Sequence, residues 1–265
     1  MRFRPSLQLL CSIISGVLFT LLGTLSAGAA AADLSGVIAA VKPSVVGVGS
    51  YQRLRSPAAV FNGTGVVLGD GLSVITNAHV VPELTDSEQK ETLGVLVAGE
   101  GTAFSFRPAT VVAVDKEHDL AHLRLSGAPL PALKLGDSAG LREGRELAFT
   151  GFPLGMVLGL HPVTHRAMLS AITPIILPSA NSRQLDARAV AALQRAPFNI
   201  LQLDGTAYPG NSGSPLYDPA DGSVVGIINM VFIKGLKETA ITSPSGITYA
   251  IPSRYVQELL QRKVP

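Results

Sequence analysis

The 265-residue chain has no tryptophan, a single cysteine and only 5% aromatic residues. Charged residues make up only 15% of it, against 47% apolar residues. Each shortage excludes something. With so few charges and so many apolar residues, an intrinsically disordered or highly solvated chain is excluded, and there is enough apolar material for one large domain or two small ones. The lone cysteine, Cys11, lies in the first segment, where Arg2 and Arg4 precede the mostly apolar Leu7 to Leu25 and the small residues 26–32. That three-part pattern reads as a secretory signal peptide over residues 1–32, with cleavage after Ala29 or Ala32; an uncleaved membrane anchor is the other reading. Residues 33–265 then contain no cysteine, which excludes disulfides, a cysteine nucleophile and thiolate metal sites. Removing Arg2 and Arg4 lowers Lys plus Arg from 21 to 19, equal to the 19 acidic residues, so no charged surface for nucleic acid is expected.

What is plentiful is turn material: 27 glycines and 18 prolines. Between them run short β-branched or apolar segments: Val45–Val48, Gly63–Leu68, Leu72–Thr76, Leu93–Val97, Thr110–Val114 and Leu120–Leu125. A second series follows, at Arg145–Thr150, Val163–Ile172, Ile200–Leu203, Ser223–Ile228 and Ile247–Ile251. Gly69-Asp70-Gly71 marks a hairpin, and the break around residues 129–140 divides the series in two. Many short strands with frequent turns predict an all-β protein of two antiparallel barrels, residues 33–140 and 141–265. Short helices are expected over Asp33–Lys42, Gln184–Arg195 and Ser253–Arg262, the last capped by Ser253.

Three motifs carry chemistry. Gly210-Asn211-Ser212-Gly213-Ser214-Pro215 encloses a serine in a glycine-flanked turn. A serine hydroxyl is a weak nucleophile that needs a base and an array of N–H donors for the developing oxyanion, and Gly210, Asn211 and Ser212 are the expected hole. His79, in Thr76-Asn77-Ala78-His79-Val80-Val81, suits proton transfer near neutral pH. Asp119, at the start of an apolar run, can be buried and still reach a neighbouring loop to orient that base. Taken alone, each has an ordinary alternative: a polar turn, a structural histidine, a strand-entry residue. The order His79, Asp119, Ser212 is that of the chymotrypsin-like fold and differs from the subtilisin and α/β-hydrolase orders. His118 and His122 have a metal-ligand spacing only on a helix, and they fall on an expected strand. No metal and no cofactor is expected.

These motifs, with Gly63-Thr64-Gly65-Val66-Val67, Leu135-Gly136-Asp137-Ser138, Gly151-Phe152-Pro153-Leu154-Gly155 and Tyr249-Ala250-Ile251-Pro252-Ser253, resemble the HtrA (Deg-type) branch of trypsin-like serine peptidases over nearly all of residues 33–262. The resemblance implies two six-stranded, chymotrypsin-like β-barrels with a short C-terminal helix, and a Ser-His-Asp endopeptidase acting on exported polypeptides in the periplasm or outside the cell. It also implies a substrate pocket at Thr206, Ile228 and Asn229, whose lack of a carboxylate disfavours Lys or Arg beside the cut bond and favours small aliphatic residues. Two loops, Pro174–Pro197 and Phe232–Gly246, are expected to order the oxyanion hole. The sequence departs from the pattern at Ser214, usually Gly, and at His122, usually aliphatic. It stops where the family usually continues into a PDZ domain, so PDZ-mediated capture is not expected and homo-oligomerisation is left open. Membrane association is expected only through an uncleaved leader. Two other readings stand beside the peptidase: a non-catalytic chaperone-like or peptide-binding protein on the same scaffold, and a glutamyl-endopeptidase-like or toxin-like enzyme of narrow specificity.

Overall fold

The computed structural model describes residues 33–82, 91–99, 101, 103–157, 159–174, 198–230 and 247–262. Two closed six-stranded antiparallel barrels make up the fold. The first contains β1 (Val45–Tyr51), β2 (Ala59–Leu68), β3 (Ser73–Asn77), β4 (Thr92–Ala98), β5 (Phe104–Asp115) and β6 (Leu120–Leu125), in the order β1-β2-β3-β6-β5-β4. The second contains β7 (Glu146–Gly151), β8 (Val163–Pro174), β9 (Asn199–Leu203), β10 (Pro215–Tyr217), β11 (Val224–Asn229) and β12 (Thr248–Pro252), in the order β10-β11-β12-β9-β8-β7. A short helix, α1 (Leu34–Val41), precedes the first barrel and α2 (Ser253–Gln261) follows the second. The helix expected over Gln184–Arg195 lies outside the described residues.

Both barrels close around β-branched and aliphatic side chains. Val46, Val48, Val67, Val74, Val95 and Leu123 fill the first; Leu147, Phe149, Leu169, Leu203, Leu216 and Ile228 fill the second. A third cluster joins the barrels to α2, through Val66, Ile75, Leu120, Ile227 and Ile251 from the sheets and Tyr255, Val256 and Leu259 from the helix. Closure removes free sheet edges, which suits a fold with no covalent cross-link among residues 33–265. The connection between barrels is itself stitched down: Leu133 N–H donates to Val67 O, and Gly136 N–H to Val224 O, so one segment bonds to a strand of each barrel.

One strand was not anticipated and one local expectation differs from the structure. Pro215–Tyr217 is a strand, although three residues directly after the serine turn show no alternation by which to recognise it. Ser253 starts α2 but its side chain makes no cap; its hydroxyl donates to Gly136 O at 2.7 Å and accepts Ser138 N–H at 3.1 Å. It ties the helix to the inter-barrel segment instead of closing the helix's own first turn.

Candidate active site

His79 sits in the single 3-10 turn Ala78–Val80 that ends β3, and Asp119 lies immediately before β6. These strands are antiparallel neighbours with Asn77 opposite Leu120, so the register itself brings the two residues together. Ala78 N–H and Asn77 Nδ2 donate to Asp119 O at 3.0 and 3.1 Å. The carboxylate then receives His79 on both sides: Oδ1 accepts the backbone N–H at 2.9 Å and Oδ2 lies 2.5 Å from Nδ1. Asn229 Nδ2 donates to Oδ2 at 2.8 Å. Burial alone would raise the pKa of Asp119; the hydrogen bond and charge of His79, its backbone N–H and the Asn229 amide outweigh that and hold the carboxyl below its usual range. Asp119 adopts φ +52°, a left-handed conformation that is unfavourable without glycine and is held by these bonds.

Ser212 is reached through the turn Tyr208–Ser214. Asn211 N–H donates to Tyr208 O, and Ser214 N–H to Asn211 O. Positive φ at Gly210 (+101°) and Gly213 (+88°) lets the chain reverse on both sides of the serine. The far side of the turn is pinned to β11, where Gly213 N–H donates to Ile228 O and Ile228 N–H donates to Ser214 O, each at 2.9 Å. Thr64 of the first barrel clasps the near side. Its N–H donates to Ser212 O at 2.8 Å, its hydroxyl donates to Gly210 O at 2.7 Å, and that hydroxyl accepts Phe152 N–H at 3.2 Å. Gly63 is the wedge between the two motifs. A Cβ there would fall 2.7 Å from a Val80 methyl and 2.9 Å from Ser212 O, so this narrow backbone lets the His79 turn approach the serine turn.

The peptide before Gly210 has a defined orientation. Pro209 O accepts Leu154 N–H at 2.7 Å, and in a trans peptide this points Gly210 N–H the opposite way. Among the described residues, neither Gly210 N–H nor Ser212 N–H makes a backbone hydrogen bond, whereas Asn211 N–H is taken by Tyr208 O. Of the three residues expected to form an oxyanion hole, Gly210 and Ser212 therefore present available donors, and the Asn211 N–H does not.

Asn211 and Ser214 are fully buried. Among the described residues, both side-chain amide atoms of Asn211 and the hydroxyl of Ser214 lack a partner. They pack over Gly151, where a Cβ would fall 1.9 Å from Ser214 Oγ. Thr206 is half-buried on a turn fastened by Thr248, whose hydroxyl donates to Gly205 O and accepts Ala207 N–H. Ile228 is fully buried in the second-barrel core. Asn229, expected to line the pocket beside it, is fully buried and turns its amide to Asp119. The loop residues 175–197 and 231–246 lie outside the described residues. Sequence reasoning gave no role to Thr64, Asn77 or the Asn229–Asp119 bond. Thr64 lay inside a quoted glycine-rich motif, but nothing in that motif marks a contact 146 residues away.

Residues 63–227 match the family model "Trypsin-like peptidase domain". "Serine protease HTRA2, mitochondrial" of Drosophila pseudoobscura pseudoobscura is 34% identical over 206 residues, covering 78% of this chain and 40% of that protein. The protein of the same name from Drosophila willistoni is 32% identical over the same length, covering 78% and 39%. The chain thus spans about 40% of the length of the curated relatives it matches. Among solved structures, "HtrA-type protease AlgW with tripeptide" aligns with a TM-score of 0.57 at 24% identity, covering 86% of this chain and 62% of that one. "HtrA-type protease AlgW with decapeptide" aligns with a TM-score of 0.58 at 22% identity, covering 86% and 66%. With a family model matched across both barrels and the strand order that the fold requires, the chain belongs to the trypsin-like peptidase family.

Proposed function

We propose that this protein is a serine endopeptidase that hydrolyses peptide bonds of exported polypeptides, with Ser212 as nucleophile, His79 as general base and Asp119 as the residue that orients the base. The single observation that carries the reading is the Asp119 carboxylate held between His79 Nδ1 and Asn229 Nδ2. An ionised acceptor at Nδ1 assigns the ring proton to that nitrogen and leaves Nε2 to accept one. Nε2 then takes the proton of Ser212 Oγ as that oxygen attacks the substrate carbonyl. The tetrahedral oxyanion is met by the N–H groups of Gly210 and Ser212, which make no backbone hydrogen bond among the described residues. The proton passes from His79 to the leaving amine, and water hydrolyses the acyl-enzyme by the same steps in reverse order.

A polypeptide ligand agrees with the likeness to HtrA-type structures solved with a tripeptide and with a decapeptide. Export follows from reading residues 1–32 as a leader. A small aliphatic residue before the cut bond fits Thr206, which brings no charge to the pocket. Purified protein incubated with unfolded casein is expected to generate new peptide ends, and mass spectrometry should place small aliphatic residues before the cuts. Ser212→Ala should lower turnover by about a million-fold while leaving peptide binding intact. Equal cleavage by Ser212→Ala would sink the assignment, and no cleavage by either protein, with peptide binding retained, would favour the chaperone-like reading. Ends dominated by Arg or Lys would refute the pocket assignment alone, and ends dominated by Glu would point to the glutamyl-type reading.

A further inference from the structure

The residue before Asp119 sits in a site of its own. His118 is buried, and its Nδ1 lies 2.8 Å from Asp115 Oδ2. The other carboxylate oxygen of Asp115 accepts the backbone N–H of Glu117 at 3.0 Å and of His118 at 3.2 Å, closing the loop between β5 and β6 on itself. The imidazole stacks on Tyr255 of α2, with ring centroids 3.8 Å apart and planes 19° from parallel, and the edge contact with Phe198 is 4.6 Å. Arg262, just beyond α2, donates to Asp115 Oδ2 at 2.6 Å. Burial acts to raise the pKa of Asp115, but the hydrogen bonds and charge of His118 and then the Arg262 charge hold it below the usual carboxylate range.

The geometry points to His118 as a positioning residue for the Asp119 carboxylate, acting with Asp115, Tyr255 and Arg262 as a clamp on the loop. A left-handed aspartate persists only where its surroundings over-determine it. On its C-terminal side, Asp119 is fixed by strand pairing and by Ala78 N–H and Asn77 Nδ2. On its N-terminal side the next side chain is His118, whose ring is held by Asp115 of the same loop, by Phe198 and by Tyr255 of the C-terminal helix, with Arg262 just beyond that helix fixing Asp115. Without the clamp, the backbone at Asp119 can relax toward an ordinary conformation. That rotation carries the carboxylate away from His79, and displacements of about 1 Å in a catalytic group can cost on the order of 100-fold in rate. This inference rests on the peptidase reading for its kinetic consequence, although the positioning itself is structural.

The test compares three variants of the whole chain. His118→Phe keeps a ring against Tyr255 and removes the Nδ1 donor. His118→Asn restores a donor near the same place. Arg262→Gln, at a partly exposed position, removes the second partner of Asp115 without disturbing a core side chain. His118→Phe is expected to lower kcat about 10- to 100-fold with KM unchanged. His118→Asn should recover most of that loss, and Arg262→Gln should produce a smaller fall of the same kind. The low-field proton NMR line of the His79–Asp119 hydrogen bond should shift or broaden in His118→Phe and return in His118→Asn. Wild-type kcat and an unchanged line in both His118→Phe and Arg262→Gln would overturn the proposal. So would a loss that His118→Asn does not recover, since that would reduce His118 to packing. Labelling by a fluorophosphonate separates the two readings. A wild-type protein that is not labelled defeats the peptidase assignment, while the NMR line still tests the clamp.

Discussion

His122 occupies a strand position in β6, almost fully buried, with no partner for Nε2 among the described residues. Leaving a buried polar atom unsatisfied costs about 1–3 kcal/mol, so His122→Val should stabilise the protein by roughly 1 kcal/mol, read from the midpoint of urea unfolding. Burial, then the charge of Arg124, hold the His122 imidazole below its usual pKa, and burial does the same to His165. The folded state therefore binds fewer protons than the unfolded chain once pH falls toward the usual histidine value. Stability from this source is complete above that value and declines as pH drops through it toward the lower folded-state pKa. Melting temperature should fall between about pH 7 and pH 5, and His122→Val should flatten the curve; an unaltered slope would refute the assignment. The candidate residues His79, Asp119 and Ser212 stand out in the sequence because each sits beside a recognisable strand end or turn, in an informative order. The bond from Asn229 to Asp119 was not legible, for the opposite reason. A fully buried strand shows no alternation, so the pattern Gly226-Ile227-Ile228-Asn229 does not say which way the amide turns.

At the scale of elements, α2 does more than cover a barrel. Leu259 is fully buried in the cluster that joins both barrels, and Tyr255 carries the ring of His118. Leu259→Ala should cost about 2–5 kcal/mol in chemical denaturation, the range for a buried leucine whose site cannot fully collapse. The helix itself was readable from the spacing of Val256, Leu259 and Leu260. Its partners were not, because they come from β5, β6, β11, β12 and the inter-barrel segment. Most strands were readable too, since β-branched runs bounded by Gly and Pro leave few alternatives. The exception is β10, whose three residues make too short a run to carry a period. The Gly69-Asp70-Gly71 turn shows why hairpins read well: positive φ at both glycines, with Asp70 Oδ1 accepting Leu72 and Ser73 N–H, is chemistry local to the turn.

For the whole molecule, the decisive joint is Thr64. One side chain from the first barrel holds Gly210 O and accepts Phe152 N–H, both belonging to the second half. Thr64→Val keeps the shape and removes both bonds, leaving a partly buried carbonyl and a buried N–H unpaired. It should cost about 1–3 kcal/mol of stability, and kcat should fall because the Gly210 peptide is no longer fixed. A variant that loses stability but keeps wild-type kcat would show that the clasp serves folding alone. Neither composition nor periodicity could reveal this joint, because it depends on how two separately legible halves face each other.

That joint also means that neither barrel owns a finished candidate active-site turn. On the peptidase reading, the molecule produced as two polypeptides would be silent in each tube and would recover hydrolysis only when the pieces met. Cutting the chain between Leu125 and Glu146 would thus turn it into a sensor of its own reassembly, switched on by a threonine from one fragment gripping a glycine carbonyl in the other.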